Sequence, residues 1–282
     1  MVGAGAGVLL AARQISGPWR PPLPYAFSPF EVQAEATDVT FSSGDGTRLS
    51  GWWFDRPAPT DGTPDQVVVV SHGYHSSKAD MLGIGPGLWR AGLTVLLYDF
   101  RGAGDSEDGP QSLAHYEQAD LTAAIDLAQE RRPGAEISLV GFSMGAAVSL
   151  LVAATDQRVR RVVADSSFAD MHGVIATAAA GLRLPPVPLV TLVDHATRLR
   201  YGYRFGDVRP EAVVGRISPR PLLLLHGDAD EMIPVEHAHR LAAAAGPGSE
   251  LRITPGAGHC GAYFLDRPGY IAQVAHFLKT GG

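Results

Sequence analysis

Ile137-Ser138-Leu139-Val140-Gly141-Phe142-Ser143-Met144-Gly145 decides how this chain is read. A buried-strand run leads into a G-x-S-x-G motif, and small apolar residues of helical character follow over 144–155. A strand that bends so abruptly into a helix leaves no room for side chains at Gly141 and Gly145. It also holds the central serine in a strained conformation with its hydroxyl exposed. Ser143 stands at a helix N-terminus, where free N–H groups and the helix dipole favour developing negative charge. The pattern is a nucleophile elbow, and Ser143 is the predicted attacking group.

The same strand character recurs on either side of the elbow. Residues 66–71 (QVVVVS), 93–98 (LTVLLY), 161–164 (RVVA), 221–225 (PLLLL) and 251–254 (LRIT) are apolar or β-branched runs, as expected of strands covered on both faces. Stretches of helical character lie between and after them, at 78–91, 113–132, 144–155, 235–245 and 269–279. Alternation of this kind predicts an α/β fold: a mostly parallel sheet with helices on both faces. Upstream, 37–42 (TDVTFS) and 48–54 (RLSGWWF) flank Gly44-Asp45-Gly46 and read as a β-hairpin, which brings the sheet to eight strands.

Residues 166–218 separate two predicted strands by far more than the dozen or so residues a crossover needs. This segment carries Leu182, Leu184, Val187 and Leu189, then Tyr201, Tyr203 and Phe205. It reads as a small cap over one end of the sheet, its leucines either lining an acyl pocket or packing the cap down. The expected organisation is an N-terminal extension over 1–36 and one domain over 37–282 with the cap inserted at about 166–218. Within the extension, 2–12 is apolar, rich in Gly and Ala, and stops at Arg13. It lacks a basic leader and is too short to span a bilayer. It reads as a weakly helical terminus or as the trailing end of an anchor. Pro18, Pro21, Pro22, Pro24 and Pro29 then predict an extended lead-in.

Composition narrows the function. Hydrophobic residues make up 45% of the 282, and 33 glycines with 21 prolines stay below the share of about 25–30% that marks low complexity. The net charge of −6 gives no basic footprint, so nucleic acid is excluded as the expected partner. The one cysteine, Cys260, excludes an intrachain disulfide and any zinc site needing two thiolates. It fits a reducing compartment, and a cytoplasmic location is the expectation unless the opening stretch belongs to an anchor. No apolar run is long enough for a membrane span.

A serine hydroxyl needs a general base and an acid that orients it. Among ten histidines, His259 is favoured: Pro255-Gly256-Ala257-Gly258-His259 is a Gly-rich loop just after the last predicted strand, and loops at the carboxyl ends of parallel strands assemble such sites. His72, His75 and His226 flank other strand ends, and His237 and His239 cannot face one ligand from a helix. The acid should also follow a strand. Asp228, Asp230 and Glu231 qualify, with Asp165 as a different option; Asp230 is favoured because its distance beyond the strand lets the loop curl back toward His259. The oxyanion donors expected are the backbone N–H of Met144, after the nucleophile, and that of Tyr74 in Ser71-His72-Gly73-Tyr74. The stretch Asp99-Phe100-Arg101-Gly102-Ala103-Gly104-Asp105-Ser106 lacks the Gly-Lys-Ser/Thr of a phosphate loop and reads as a structural turn held by Asp99 and Arg101.

Four blocks in order, His72-Gly73-Tyr74, Asp99-Phe100-Arg101-Gly102-x-Gly104-x-Ser106, Gly141-Phe142-Ser143-Met144-Gly145, and His226-Gly227-x-x-Asp230 followed by His259, resemble the α/β-hydrolase superfamily. The likeness runs from about Thr37 to Lys279 and is greatest to its esterase and serine-aminopeptidase-like branch. It implies serine hydrolysis with no metal and no cofactor. The expectation is a carboxylesterase acting on a small ester with a short or medium acyl chain; the alternative is a peptidase or amidase using the same triad. The branch is functionally broad, so the fold alone does not fix a substrate.

Overall fold

The computed structural model describes residues 2–19, 27–181 and 186–282, with side chains for all of these except 2–6, 178–181 and 186–189. Eight strands form one sheet among them: β1 (Thr37–Ser42), β2 (Arg48–Phe54), β3 (Gln66–Ser71), β4 (Thr94–Tyr98), β5 (Glu136–Phe142), β6 (Val159–Asp165), β7 (Leu222–Gly227) and β8 (Ser249–Thr254). Their order is β1-β2-β4-β3-β5-β6-β7-β8. The β1–β2 and β2–β4 pairs are antiparallel, and every later pair is parallel. The predicted hairpin is therefore an antiparallel edge on a parallel sheet.

The helices are α1 (Val2–Ser16), α2 (Gly85–Arg90), α3 (Glu117–Arg131), α4 (Met144–Ala153), α5 (Met171–Gly181), α6 (Pro186–Tyr201), α7 (Glu236–Ala244), α8 (Ala262–Leu265) and α9 (Arg267–Thr280). The two-sided burial read from QVVVVS is visible residue by residue. Val67 and Val69 join a core with Leu121 and Ile125 of α3 and Val148 of α4, while Val68 and Val70 join one with Leu88 of α2 and Val274 and Phe277 of α9. All four valines are fully buried, each worth roughly 1.5–3 kcal/mol of transfer free energy.

Some boundaries differ from expectation. The stretch 78–91 is not one helix: a 3₁₀ turn over Lys78–Gly83 precedes α2. The helix expected from 113 begins at Glu117, because the Glu117 carboxylate accepts the Ser112 and Ala114 N–H groups and so ends the preceding loop. Between β6 and β7 lie α5, α6 and three short 3₁₀ turns, with α5 packed on α6. Leu182 and Leu184 lie outside the described residues, as do the side chains of Val187 and Leu189.

Residues 2–16 form a helix, in line with the helical reading of this stretch. Helix α1 lies against α6, Ala12 and Ser16 are buried, and Ser16 Oγ and the Tyr203 hydroxyl share a 2.8 Å hydrogen bond. The helix is stable here because the segment between β6 and β7 gives it a surface to pack on; local propensity of a Gly-rich stretch would not suffice. Most of the proline-rich lead-in, residues 20–26, lies outside the described residues. Among the described residues no helix is long and apolar enough to cross a membrane.

Candidate active site

Ser143 ends the turn between β5 and α4 with φ 53° and ψ −116°. Glycine accepts such a φ freely; serine pays strain for it. The steric demand on the flanking glycines is met as the sequence required. A Cβ on Gly141 would lie 2.3 Å from the Gly145 carbonyl oxygen, and one on Gly145 would lie 2.4 Å from the carbonyl oxygens of Ser71 and His72. The serine backbone is pinned on both sides: its N–H donates to the Asp165 carbonyl (2.9 Å), and its own carbonyl accepts from Ala146 and Ala147.

Asp230 and His259 arrive from the ends of β7 and β8. His259 Nδ1 lies 2.7 Å from Asp230 Oδ2. A carboxylate oxygen can only accept, so Nδ1 carries a proton, and in the neutral ring Nε2 is the nitrogen left with its lone pair. Asp230 Oδ1 accepts from the backbone N–H groups of Met232 (2.9 Å) and Ile233 (2.8 Å). Burial works to raise the Asp230 carboxyl, but the His259 hydrogen bond, the Ile233 N–H and the nearby imidazoles outweigh it and hold it below the usual carboxylate range. The other candidate acids are engaged elsewhere. Asp228 accepts from the Gly256 N–H (2.6 Å) and ties the two loops together. Asp165 accepts from the Tyr270 hydroxyl (2.6 Å) and from Ser166. His226 donates through Nε2 to the Ile233 carbonyl (2.7 Å) and supports the acid loop rather than the serine.

Ser143 and His259 both line one cavity of about 710 Å³, with Gly73, Tyr74, Phe142 and Cys260 close to them. Among the described residues no hydrogen bond joins Ser143 Oγ to His259. The cavity wall continues through Met81, Ile84, Met232, Tyr263 and Phe264. The wall is thus built, among the described residues, by the loop after β3, the 3₁₀ turn, the acid loop and α8; the side chains of the four cap residues expected to line an acyl pocket, Leu182, Leu184, Val187 and Leu189, lie outside what is described. Sequence reading missed Tyr263 and Phe264. Their one signal was position, directly after the histidine loop.

The loop after β3 is fixed by His72, which is fully buried. The Phe100 N–H donates to Nε2 (3.0 Å), which leaves Nδ1 protonated and donating to the Gly73 carbonyl (2.7 Å). Burial pushes the imidazole below its usual range and keeps it neutral. A trans peptide points C=O and N–H to opposite sides, so the Tyr74 N–H is turned away from the His72 ring. Neither it nor the Met144 N–H donates to another described residue. Gly73 brings the backbone to the serine: a Cβ there would meet Ser143 Cβ at 3.4 Å. The Tyr74 hydroxyl donates to the Ile15 carbonyl (2.6 Å) at the end of α1, and its ring stacks on His75 at 3.8 Å. The extension thus reaches the site, which the sequence did not suggest.

The turn after β4 is structural, as its sequence implied. Asp99 accepts from Lys78 N–H (2.7 Å), Lys78 Nζ (2.5 Å) and Asp105 N–H (2.9 Å), and a Cβ on Gly104 would strike its carboxylate. Arg101 makes a forked pair with Asp120. The buried Lys78 ammonium, also 4.8 Å from the Trp52 ring centroid, was not anticipated.

The element order, the antiparallel edge and the elbow at the end of β5 invite comparison with known proteins. The family model described as serine aminopeptidase, S33, matches residues 62–196. The uncharacterised protein YqkD of Bacillus subtilis is 31% identical, over 90% of this chain and 82% of that protein. The chain belongs to the α/β-hydrolase superfamily. Among solved structures, an esterase from Pyrococcus furiosus aligns with a TM-score of 0.76 and 27% identity, covering 92% of this chain and 96% of that one. The α/β hydrolase GrgF from Penicillium aligns at 0.68 and 25%, covering 87% and 98%. In this superfamily setting, Ser143, Asp230 and His259 fall in the chain order Ser…Asp…His typical of the fold.

Proposed function

We propose that this α/β hydrolase is a serine carboxylesterase that cleaves short or medium acyl esters through an acyl-enzyme. The observation that carries the reading is the shared cavity: the strained Ser143 and the Asp230-held His259 open into the same apolar chamber. Ser143 Oγ attacks the ester carbonyl while His259 Nε2 takes its proton. The tetrahedral oxyanion is held by the N–H groups of Tyr74 and Met144, each such donor being worth roughly 10²–10³ in kcat. The imidazolium then protonates the leaving alcohol, and a water activated by His259 releases the acid. Asp230 stays ionised throughout and holds the histidine tautomer. No metal or cofactor enters these steps. The similarity to an esterase of known structure supports the reading.

A peptidase reading is favoured by the description of the matching family; Asp80 stands on the cavity wall, but its Oδ2 already accepts from the Ser77 N–H (2.9 Å) and the Ser76 hydroxyl (2.8 Å). Asp194 and Asp207 are engaged likewise, accepting from the backbone N–H groups of Phe205 and Arg204. The test is labelling by a fluorophosphonate with and without Ser143→Ala, together with a panel of nitrophenyl esters and aminoacyl amides. Ester turnover with labelling lost in the Ala variant is expected. Labelling that survives the substitution overturns the nucleophile, and preferred amide turnover overturns the ester class.

A further inference from the structure

Asp165 and Ser166, at the end of β6, touch both halves of the site without entering the reaction above. The Asp165 carbonyl accepts the Ser143 N–H at 2.9 Å. Its fully buried carboxylate accepts from the Tyr270 hydroxyl (2.6 Å) and from Ser166 Oγ (2.9 Å). Ser166 Oγ, its proton given to Asp165, accepts the backbone N–H of Cys260 at 3.0 Å. Cys260 follows His259 directly. One dipeptide therefore grips the backbone of the nucleophile with a carbonyl and the backbone next to the base with a hydroxyl.

The conformations mark this contact as specific. Ser166 has φ 54° and Cys260 has φ 51°, so two non-glycine residues bonded to each other both occupy the left-handed region. Each costs free energy that the surroundings must offset. The hydroxyl of Ser166 is the only described side-chain partner of the Cys260 N–H. Burial pushes the Asp165 carboxyl upward, while the Tyr270 and Ser166 hydroxyls and the nearby imidazoles of His226 and His259 pull it back.

We propose that Ser166, oriented by Asp165 and Tyr270, is a positioning residue that sets the distance between Ser143 and His259. The proposal rests on the triad reading above. Loosening this tie lets the His259 loop drift relative to a serine that stays fixed, which lowers the rate of acylation more than it weakens substrate binding.

Two variants separate the hydroxyl from the backbone. Ser166→Ala removes the hydroxyl and keeps a Cβ at an unfavourable φ; Ser166→Gly removes the hydroxyl and suits that φ. With 4-nitrophenyl butyrate, both should lose about 10- to 100-fold in kcat with KM within about twofold, because misplacement near 1 Å costs on this scale. The low-field Nδ1 proton resonance of His259 should shift or broaden in both. Tyr270→Phe should lower kcat by a smaller factor, again at constant KM. A Gly variant with wild-type kcat and an unmoved resonance overturns the proposal, as does a loss seen in KM alone. If the Ala variant fails to fold, the Gly and Phe variants carry the test. Labelling that persists in Ser143→Ala would remove the triad itself; confirmed loss of labelling there, with an unaffected Ser166→Gly, removes only the positioning role.

Discussion

Asp230 Oδ2 lies 2.7 Å from His259 Nδ1 and 3.4 Å from His226 Nε2, so one carboxylate oxygen faces two imidazoles while its partner oxygen is filled by backbone N–H groups. The carboxylate has no rotational freedom left. The tautomer of His259 is thereby set by the acid loop and not by the serine.

Asp230→Asn should test this. An amide can turn its NH₂ toward Nδ1 and impose the wrong tautomer. A fall of about 10⁴ in kcat on a nitrophenyl ester is expected, with the far-UV spectrum unchanged. A loss below about tenfold would show that Asp230 does not orient the base.

Gly145→Ala should damage the fold itself. The new Cβ would lie 2.4 Å from two backbone carbonyl oxygens of β3 and its following residue, and neither can yield as a flexible side chain could. A destabilisation of about 3 kcal/mol in urea unfolding is expected, with labelling of Ser143 lost in parallel. Wild-type stability would mean that the elbow is looser than described.

Lys78→Met should be costly away from the cavity. Lys78 and Asp99 are both buried, and removing the ammonium leaves the Asp99 carboxylate without its cation in a low-dielectric setting. A loss of about 3–5 kcal/mol is expected. The double variant Lys78→Met with Asp99→Asn should recover part of it.

Acid should weaken the fold between about pH 4 and pH 2. Burial works to raise the Asp45 carboxyl, but hydrogen bonds from Arg101 and Thr47 lower it to about 2 from an unfolded value of 3.8. Asp55, Asp156, Asp170 and Asp230 are lowered as well. A depressed carboxyl stabilises the native state above its unfolded value, and that contribution is lost as pH falls through the folded one. The raised groups Asp165 and Glu117 act in the opposite sense and at higher pH, since their contribution is lost as pH rises. The urea midpoint should therefore drop steadily below pH 4; a flat midpoint down to pH 2 would contradict it.

Much of the fold was legible because burial on two faces leaves a plain mark. The run Val67–Val70 could only be a strand covered on both sides, and the turn at Gly44-Asp45-Gly46 could only join antiparallel neighbours. The segment between β6 and β7 and the N-terminal extension were harder. Their helices draw stability from each other, and a Gly-rich stretch such as 2–12 carries no sign of the surface that will receive it.

The chain by itself determined the geometry of the elbow: glycines on either side of Ser143 are demanded by a turn too tight for a Cβ, and that demand is local. It also offered His259 and several acids. Only the tertiary structure brought Asp230 within hydrogen-bond distance of His259, placed Ser166 between Ser143 and the histidine loop, put Tyr263 and Phe264 on the cavity wall, and set α1 against Tyr74. These are contacts between segments far apart in the chain, and such contacts are fixed by packing, which no spacing along the sequence encodes.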